Sequence, residues 1–542
     1  MGISFYTFHG LSYVIDIYKG KIMPQKNPVI IKQKFNTLIF NPLKARVNNT
    51  LPYFLSVPDY VFYILIFLSY IFLQYCTFNM NPDVSMQLHS LINFVNGHGI
   101  SLPDIDKNNL IVYKPLGLWP AGLVVFMTPI YIITKSAITS SLVVKIAADI
   151  FIILFLGKYL RLLAVENYKR KIILLFFAVS VSPLIYFGPS DTLATALCLW
   201  GFYHNIKYQQ TGKKNNLFIA LLLLSLSYFV KFSFFPFIFY PFAAFILKEG
   251  RQVFKQWKQA AFILLFSVVA LVCFYFLNVL LTGKTVVASS FDAFQGHAHW
   301  NQFEKMDGFL FTFGNYEWLY ENYIRNHLGI DMLFNWISIL ITVLFYCLFL
   351  MLFLNKKSNA ISTAFSNSIN ISLSAGALII FFLSFLTVNN PGQTWMKPYW
   401  TFVEESRYYA PVIFIGLINI LIIAMRKHSI AGYAIIAAFF CLNMFAYDFA
   451  AFNGFWGVNA KTYFTIRKNV SAIVNLDPAA KKPLVFYDRP TNRAHEYYYL
   501  ESQAAILVDK TRYKPHQDYQ QLFNCYFLNQ DSSGVVTVTR CN

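Results

Sequence analysis

The stretch NPDVSMQLHSLINFVNGHGISLPDIDKNNLIVYKPLGLWPAG, residues 81–122, decides how the rest of the chain is read. Val84, Leu88, Leu91, Ile92 and Val95 recur at helical spacing on one face, which predicts an amphipathic helix lying on a membrane surface. Asp83 stands at the head of that helix. There a carboxylate either caps the helix by accepting from a backbone N–H or takes a proton from an acceptor hydroxyl at the water–lipid boundary.

Around this stretch the chain is built of apolar runs. Its 542 residues are 57% hydrophobic and 13% charged, with a mean hydropathy of +0.48, whereas soluble domains carry roughly 25% charged residues. The chain reads as a polytopic membrane protein, and an aromatic content of 19% suits lipid-facing helices and interfacial belts. The net charge of +19 does not indicate a nucleic-acid partner. The basic residues lie in short loops between apolar spans, where the positive-inside rule and anionic lipid account for them. The first residues lack the basic n-region of a cleavable signal, and Tyr6 stands where a myristoylation pattern requires Ser or Thr. Cys76, Cys198, Cys273, Cys347 and Cys441 lie in or beside apolar spans as small core residues. Cys525 and Cys541, in the polar tail, are able to pair in an oxidising compartment. No zinc-type Cys/His spacing occurs, and His297 and His299, two residues apart, lack a third ligand in the sequence pattern.

Candidate spans run near 57–76, 141–157, 172–187, 191–206, 216–230, 233–248, 260–281, 332–354, 370–388, 409–425 and 430–447. Lys19, Lys21, Lys26, Lys32, Lys34, Lys44 and Arg46 precede the first span and place it in the cytoplasm. Residues 117–134, GLWPAGLVVFMTPIYIIT, hold two prolines and two glycines. If this segment dips in and returns, or lies along the interface, every later basic loop falls on the cytoplasmic side. Those loops carry Lys158, Arg161, Lys169, Arg170 and Lys171; Lys207, Lys213 and Lys214; Lys248, Arg251, Lys255 and Lys258; Lys356 and Lys357; Arg426 and Lys427. Segments 77–116, 283–331 and 389–408, and everything after 448, are then outside. The expected fold is a polytopic α-helical membrane protein of about 11 spans plus a re-entrant or juxtamembrane segment, with a small C-terminal α/β domain outside the cytoplasm. Its parts are a basic N-terminal segment 1–56, a transmembrane domain 57–448 and an outer domain 449–542. Strand-like runs PLVFYD (483–488), AAILVD (504–509) and GVVTVT (534–539) mark the last of these.

Several motifs carry a resemblance. The run PD…NG…LPDID…YKPLGLW in residues 82–119 is similar to the first-loop signature "PDE…G…P…fEKPPLyyW" of the GT-C glycosyltransferases, nearest in pattern to lipid A aminoarabinose transferases and protein O-mannosyltransferases. PSDTLATAL (189–197) resembles that family's D-x-L step, LSYFVKFSFFPFIFYP (226–241) its T-K-G…L-L-P helix pair, and SRYYAPV (406–412) its R-Y-x-x-P. The chain departs from the pattern at Val84, where the family has an acid, and at Lys114-Pro115-Leu116, where it has a double proline.

The resemblance implies an inverting, metal-independent or weakly metal-assisted sugar transfer from a polyprenyl-phosphate donor, with no other cofactor, to an envelope glycan, lipid or protein acceptor outside a bacterial inner membrane. It implies Asp83 as the base, and Lys114, Lys231 and Arg407 as cations for the donor phosphate. Asp191, Tyr113, Trp119, Glu404, Glu405 and Tyr408 fall within the same motifs as secondary candidates. The residues also admit plainer roles. Lys231 is able to snorkel from a helix end, Arg407 to pair with Glu404 or Glu405, and Asp191 to cap a helix after Gly188-Pro189.

Residues 2–27 resemble the "GISFYTF…SYVIDVYRG" segment of membrane-bound O-acyltransferases and are read as a remnant of such a protein. The competing function is a transporter or lipid flippase, for which Lys145 and Asp149, one helical turn apart, are the mid-span charges. An O-acyltransferase ranks third.

Overall fold

The computed structural model describes residues 58–78, 82–105, 111–116, 119–180 and 188–283, together with short stretches and single positions between 368 and 540. Arg407, Glu404, Glu405, Cys541, His297, His299, the 1–27 fragment and the spans at 332–354 and 430–447 lie outside the described residues. The chain forms two compact units, Met1–Leu65 and Ile66–Asn542.

The helices are α1 (Asp59–Cys76), α2 (Pro82–Val95), α3 (Gly122–Thr134), α4 (Ala137–Leu162), α5 (Asn167–Ser180), α6 (Pro189–Thr211), α7 (Lys214–Val230), α8 (Tyr240–Glu249), α9 (Trp257–Thr282) and α10 (Ala410–Arg426). All but α2 and α3 fall on the apolar runs that the span reading marked. Among the described residues, α4, the run Phe232–Glu249 and α9 are long and apolar enough to cross a membrane. Helix α3 has 13 residues with Pro129 inside; at 1.5 Å per residue it spans about 20 Å, short of a bilayer core.

Side-chain contacts fix how the helices run. Asp191 near the start of α6 meets Lys231 at the end of α7, and His204 near the end of α6 meets Asn216 at the start of α7, so the two are antiparallel. Gly212, in the left-handed region, makes the tight turn between them. The α9 helix runs with α7: Phe266 packs on Phe218, and Phe274 on Phe229. Lys158 of α4 reaches Trp200 of α6, and Tyr159 donates to Ser368, which donates to Asn419 of α10 at 2.6 Å. The basic links after α4, α6 and α8 thereby collect at one end of the helical body. Asp191, Lys231 and Asn278 collect at the other.

Two close approaches hold this second end. A Cβ on Gly122 would stand 2.4 Å from the carbonyl oxygen of Phe229, so α3 lies against the last turn of α7 as only glycine allows. The Ala121 N–H donates to Asn278 Oδ1 at 2.8 Å, satisfying a helix-start donor. After α7 the chain breaks at Lys231, whose backbone is extended (φ −147°, ψ 115°), and continues as the 3-10 helix Phe232–Phe239. Eight residues of 3-10 geometry are unusual. Pro236 and Pro241 supply no N–H to an α-helical ladder, and Ser267 of α9 donates to the Ile238 carbonyl at 3.1 Å.

At the same end, strands β2 (Ser101–Ile105) and β3 (Ile111–Pro115) form an antiparallel hairpin. Ahead of them in the chain, strand β1 (Thr77–Phe78) pairs with Val458–Asn459, and Thr387–Asn389 pairs with Tyr399–Thr401. The C-terminal segment holds a mixed four-stranded sheet. Pro483–Tyr487 lies parallel to both Ile506–Asp509 and Asn524–Gln530, and Val536–Arg540 is antiparallel to the last. Three of these strands sit on the expected runs; the fourth, Asn524–Gln530, was not anticipated, because NCYFLNQ reads as mixed polarity. Cys525 in that strand is disulfide-bonded.

The sheet corrects the reading of α2. Val485, Tyr526 and Leu528 share one buried apolar cluster with Val84, Leu88, Leu91, Ala121 and Phe229, while Ser85, Gln87, His89, Ser90 and Asn93 on the polar face are buried as well. Thus α2 is an internal helix between the helical body and the sheet, not one lying on lipid. Polar residues at core positions betray such burial only once their partners are known. Asn93, for instance, donates to the Ser101 carbonyl at 2.8 Å.

Gly122→Ala is expected to destabilise the protein by about 1–3 kcal/mol, because backbone must move to admit the methyl group. Gly201→Ala, whose Cβ would meet Leu224 Cγ at 2.7 Å, a side-chain rather than a backbone atom, is expected to lose less. Thermal unfolding of the two variants in one detergent checks the ranking.

Candidate active site

The site is built from three helix ends. Pro189 at the first position and Gly188 before it start α6, which suits proline's fixed φ and missing N–H. Asp191 is in the first turn, where the helix dipole favours a carboxylate. Its Oδ1 pairs with Lys231 Nζ, and the two side chains are only 4% and 13% exposed. Asp191 therefore spends its charge on Lys231. The N-cap position belongs to Gly188, whose carbonyl accepts from Thr192 N–H and Oγ1. Lys231 Nζ also lies 4.6 Å from the centre of the buried Tyr408 ring, a cation–π contact that gains in a desolvated setting.

The third helix end belongs to α2. It begins at Pro82, which puts Asp83 in its first turn rather than at the cap. Asp83 is half-buried, and its carbonyl accepts from Gln87 Nε2 at 2.7 Å. A Cβ on Gly188 would stand 3.5 Å from Val84 Cγ2 and 3.6 Å from Asp191 Oδ2. The turn carrying Asp83 thus abuts the turn carrying Asp191.

The remaining candidates are on the β2–β3 hairpin and just after it. Lys114 is exposed on β3, opposite Leu102. Tyr113 stacks face to face on His98, with centroids 3.8 Å apart and planes 6° apart. Trp119 packs against the apolar cluster that contains α2. The structure brings Asp191, Lys231 and Tyr408 into one cluster, with the Asp83 turn beside it. Among the described residues, no group of three or more His, Cys, Asp and Glu could hold a metal ion. Sequence reading missed Asn278 and Gly122. An amide near the end of the apolar run of α9, and a glycine opening α3, were the available signals.

No family model and no curated protein sequence matches the chain. Among solved structures it is similar to ArnT from Cupriavidus metallidurans bound to undecaprenyl phosphate, at 10% identity over 86% of this chain and 89% of that one, with a TM-score of 0.43. The apo state of the same protein gives 10% identity, 86% and 90% coverage and a TM-score of 0.42.

Removing one partner of a buried ion pair strands the other charge. Asp191→Asn is expected to cost about 3 kcal/mol, and Lys231→Met added to it is expected to recover much of that loss. A double-mutant cycle of unfolding free energies in detergent measures the coupling, and additive losses would show that the pair does not hold the site.

Proposed function

We propose that this chain is an integral-membrane glycosyltransferase of the GT-C type, working at the end of the helical body where Asp83, Asp191, Lys231 and Tyr408 lie. The observation that carries the reading is the Lys231–Asp191 pair, beside the first turn of α2 and at the end opposite the basic links. By the positive-inside rule those links face the cytoplasm, which puts the chemistry on the outer face of an inner membrane. The motif resemblance supplies the donor class, a polyprenyl-phosphate sugar, and an envelope glycan, lipid or protein as acceptor.

The chemistry follows from the residues. The Asp83 carboxylate accepts the proton of an acceptor hydroxyl as its oxygen bonds the anomeric carbon. The bond from that carbon to the phosphate oxygen breaks on the opposite face, and the electron pair leaves with the polyprenyl phosphate. Negative charge gathers on that phosphate in the transition state, where a fixed cation acts most strongly in a dry site. Lys231 supplies it: an ammonium has three N–H donors, so a phosphate joins the Asp191 pair without displacing it. Lys114 and Arg407 are the further cations of the proposal, and the step uses side chains alone.

A transporter is the second reading, favoured by Lys145 and Asp149, which are both buried on α4. They lie one turn apart on the same helix and act on each other, as a structural pair does.

Membranes carrying the full chain, supplied with native envelope extract, are expected to consume one lipid-linked sugar. Asp83→Asn is expected to slow that consumption by at least about a hundredfold while the unfolding temperature holds. An unchanged lipid profile with the intact protein would favour the transporter, and full activity in Asp83→Asn would remove the base.

A further inference from the structure

Apart from its C-terminal end, α6 is buried except along one stripe: Leu193, Leu197, Trp200, His204 and Lys207. Steps of three and four place these residues on a single helical face. Helices α4 and α7 both pack on α6, so the stripe floors a groove between them. Phe151, Leu154 and Lys158 are exposed on the α4 side, and Asn216, Ile219 and Leu223 are half-buried on the α7 side.

The groove has two halves. Towards the Asp191 end it is apolar. Towards the basic end the Trp200, Tyr203 and His204 rings gather at centroid distances of 5.3 to 6.2 Å. Lys158 Nζ lies 5.1 Å over Trp200, and Lys207 Nζ 5.0 Å over Tyr203. Both lysines are close enough to act on His204. Among the described residues the acids nearby are otherwise placed: Asp191 of α6 pairs with Lys231 at the far end, Asp149 of α4 is buried, Glu166 pairs with Lys169 and Glu249 with Lys248. Neither Lys158 nor Lys207 has an ion-pair partner among the described residues.

We propose that this groove is a binding site for one anionic phospholipid of the leaflet at the basic end. Its phosphate sits between Lys158 and Lys207, and an acyl chain lies along Leu197, Leu193, Leu154 and Phe151. From His204 back to Leu193 the stripe rises about 16 Å, about half of a ~30 Å hydrocarbon core, which is the depth of one leaflet's chains. A free phosphate would leave the apolar half without a role. Snorkelling alone accounts for cations at the headgroup level, but not for an open stripe on an otherwise buried helix that leads away from them.

Native mass spectrometry of the full chain in detergent tests this with phosphatidylglycerol, phosphatidylethanolamine and undecaprenyl phosphate. The intact protein is expected to retain phosphatidylglycerol in preference to phosphatidylethanolamine. The Lys158→Gln/Lys207→Gln pair is expected to bind phosphatidylglycerol about tenfold more weakly, while Lys213→Gln/Lys214→Gln, with equal loss of charge, changes binding by less than about twofold. Leu197→Trp, which fills the apolar half, is expected to weaken it as well. Equal losses in the two lysine pairs would reduce the effect to diffuse surface charge and overturn the site. Undecaprenyl phosphate as the lipid lost from Lys158→Gln/Lys207→Gln would overturn the occupant.

Discussion

Taking a lysine and an aspartate out of water costs several kcal/mol per ion unless geometry and further contacts compensate. The Lys231–Asp191 pair sits where compensation is at hand. The dipole at the start of α6 favours the carboxylate, the chain break after α7 frees the lysine from a helical course, and the Tyr408 ring offers its face to the ammonium. Because the two charges belong to helices running in opposite directions, satisfying them fixes which ends meet. Gly122 against Phe229 and Asn278 against Ala121 close the same end, and α2 then has one place to dock.

That docking links fold to chemistry. Through Leu88 and Leu91 the α2 helix shares one buried apolar cluster with residues of the C-terminal sheet, so elements far apart in the sequence hold its first turn. Asp83 is half-buried in that turn, which abuts the turn carrying Asp191. A site preorganised in this way does not have to reorganise as charge develops. The opposite end is basic: lysines and arginines gather on and beside short links, with rings beneath Lys158 and Lys207.

Much of this was legible in the sequence. Apolar runs announced α4 and α9, because a bilayer demands their length. The strands at 483–487, 506–509 and 536–540 showed as short β-branched runs, and the loop charges showed which ends would cluster. What stayed hidden depends on partners far away in the chain. The polar face of α2 looks solvated in the sequence, so Ser85, Gln87 and His89 read as surface residues although they are buried. Lys231 and Asp191 are separated by the whole of the α6–α7 hairpin, and neither helix alone says that the other's charge will meet it. A close approach such as Gly122 to Phe229 leaves no mark beyond a glycine among apolar residues.

The proposed function requires the end holding Asp83 and Lys231 to face away from the cytoplasm. Single cysteines at two exposed positions test it most directly: Asn96→Cys, just after α2, and Lys213→Cys, in the α6–α7 turn. An impermeant maleimide is applied to intact cells, and labelling is read as the increment over the unsubstituted chain. Labelling at residue 96 in intact cells, and at residue 213 only after permeabilisation, is the predicted result. Labelling at 213 in intact cells with 96 protected would invert the molecule and put the proposed chemistry on the wrong side of the membrane.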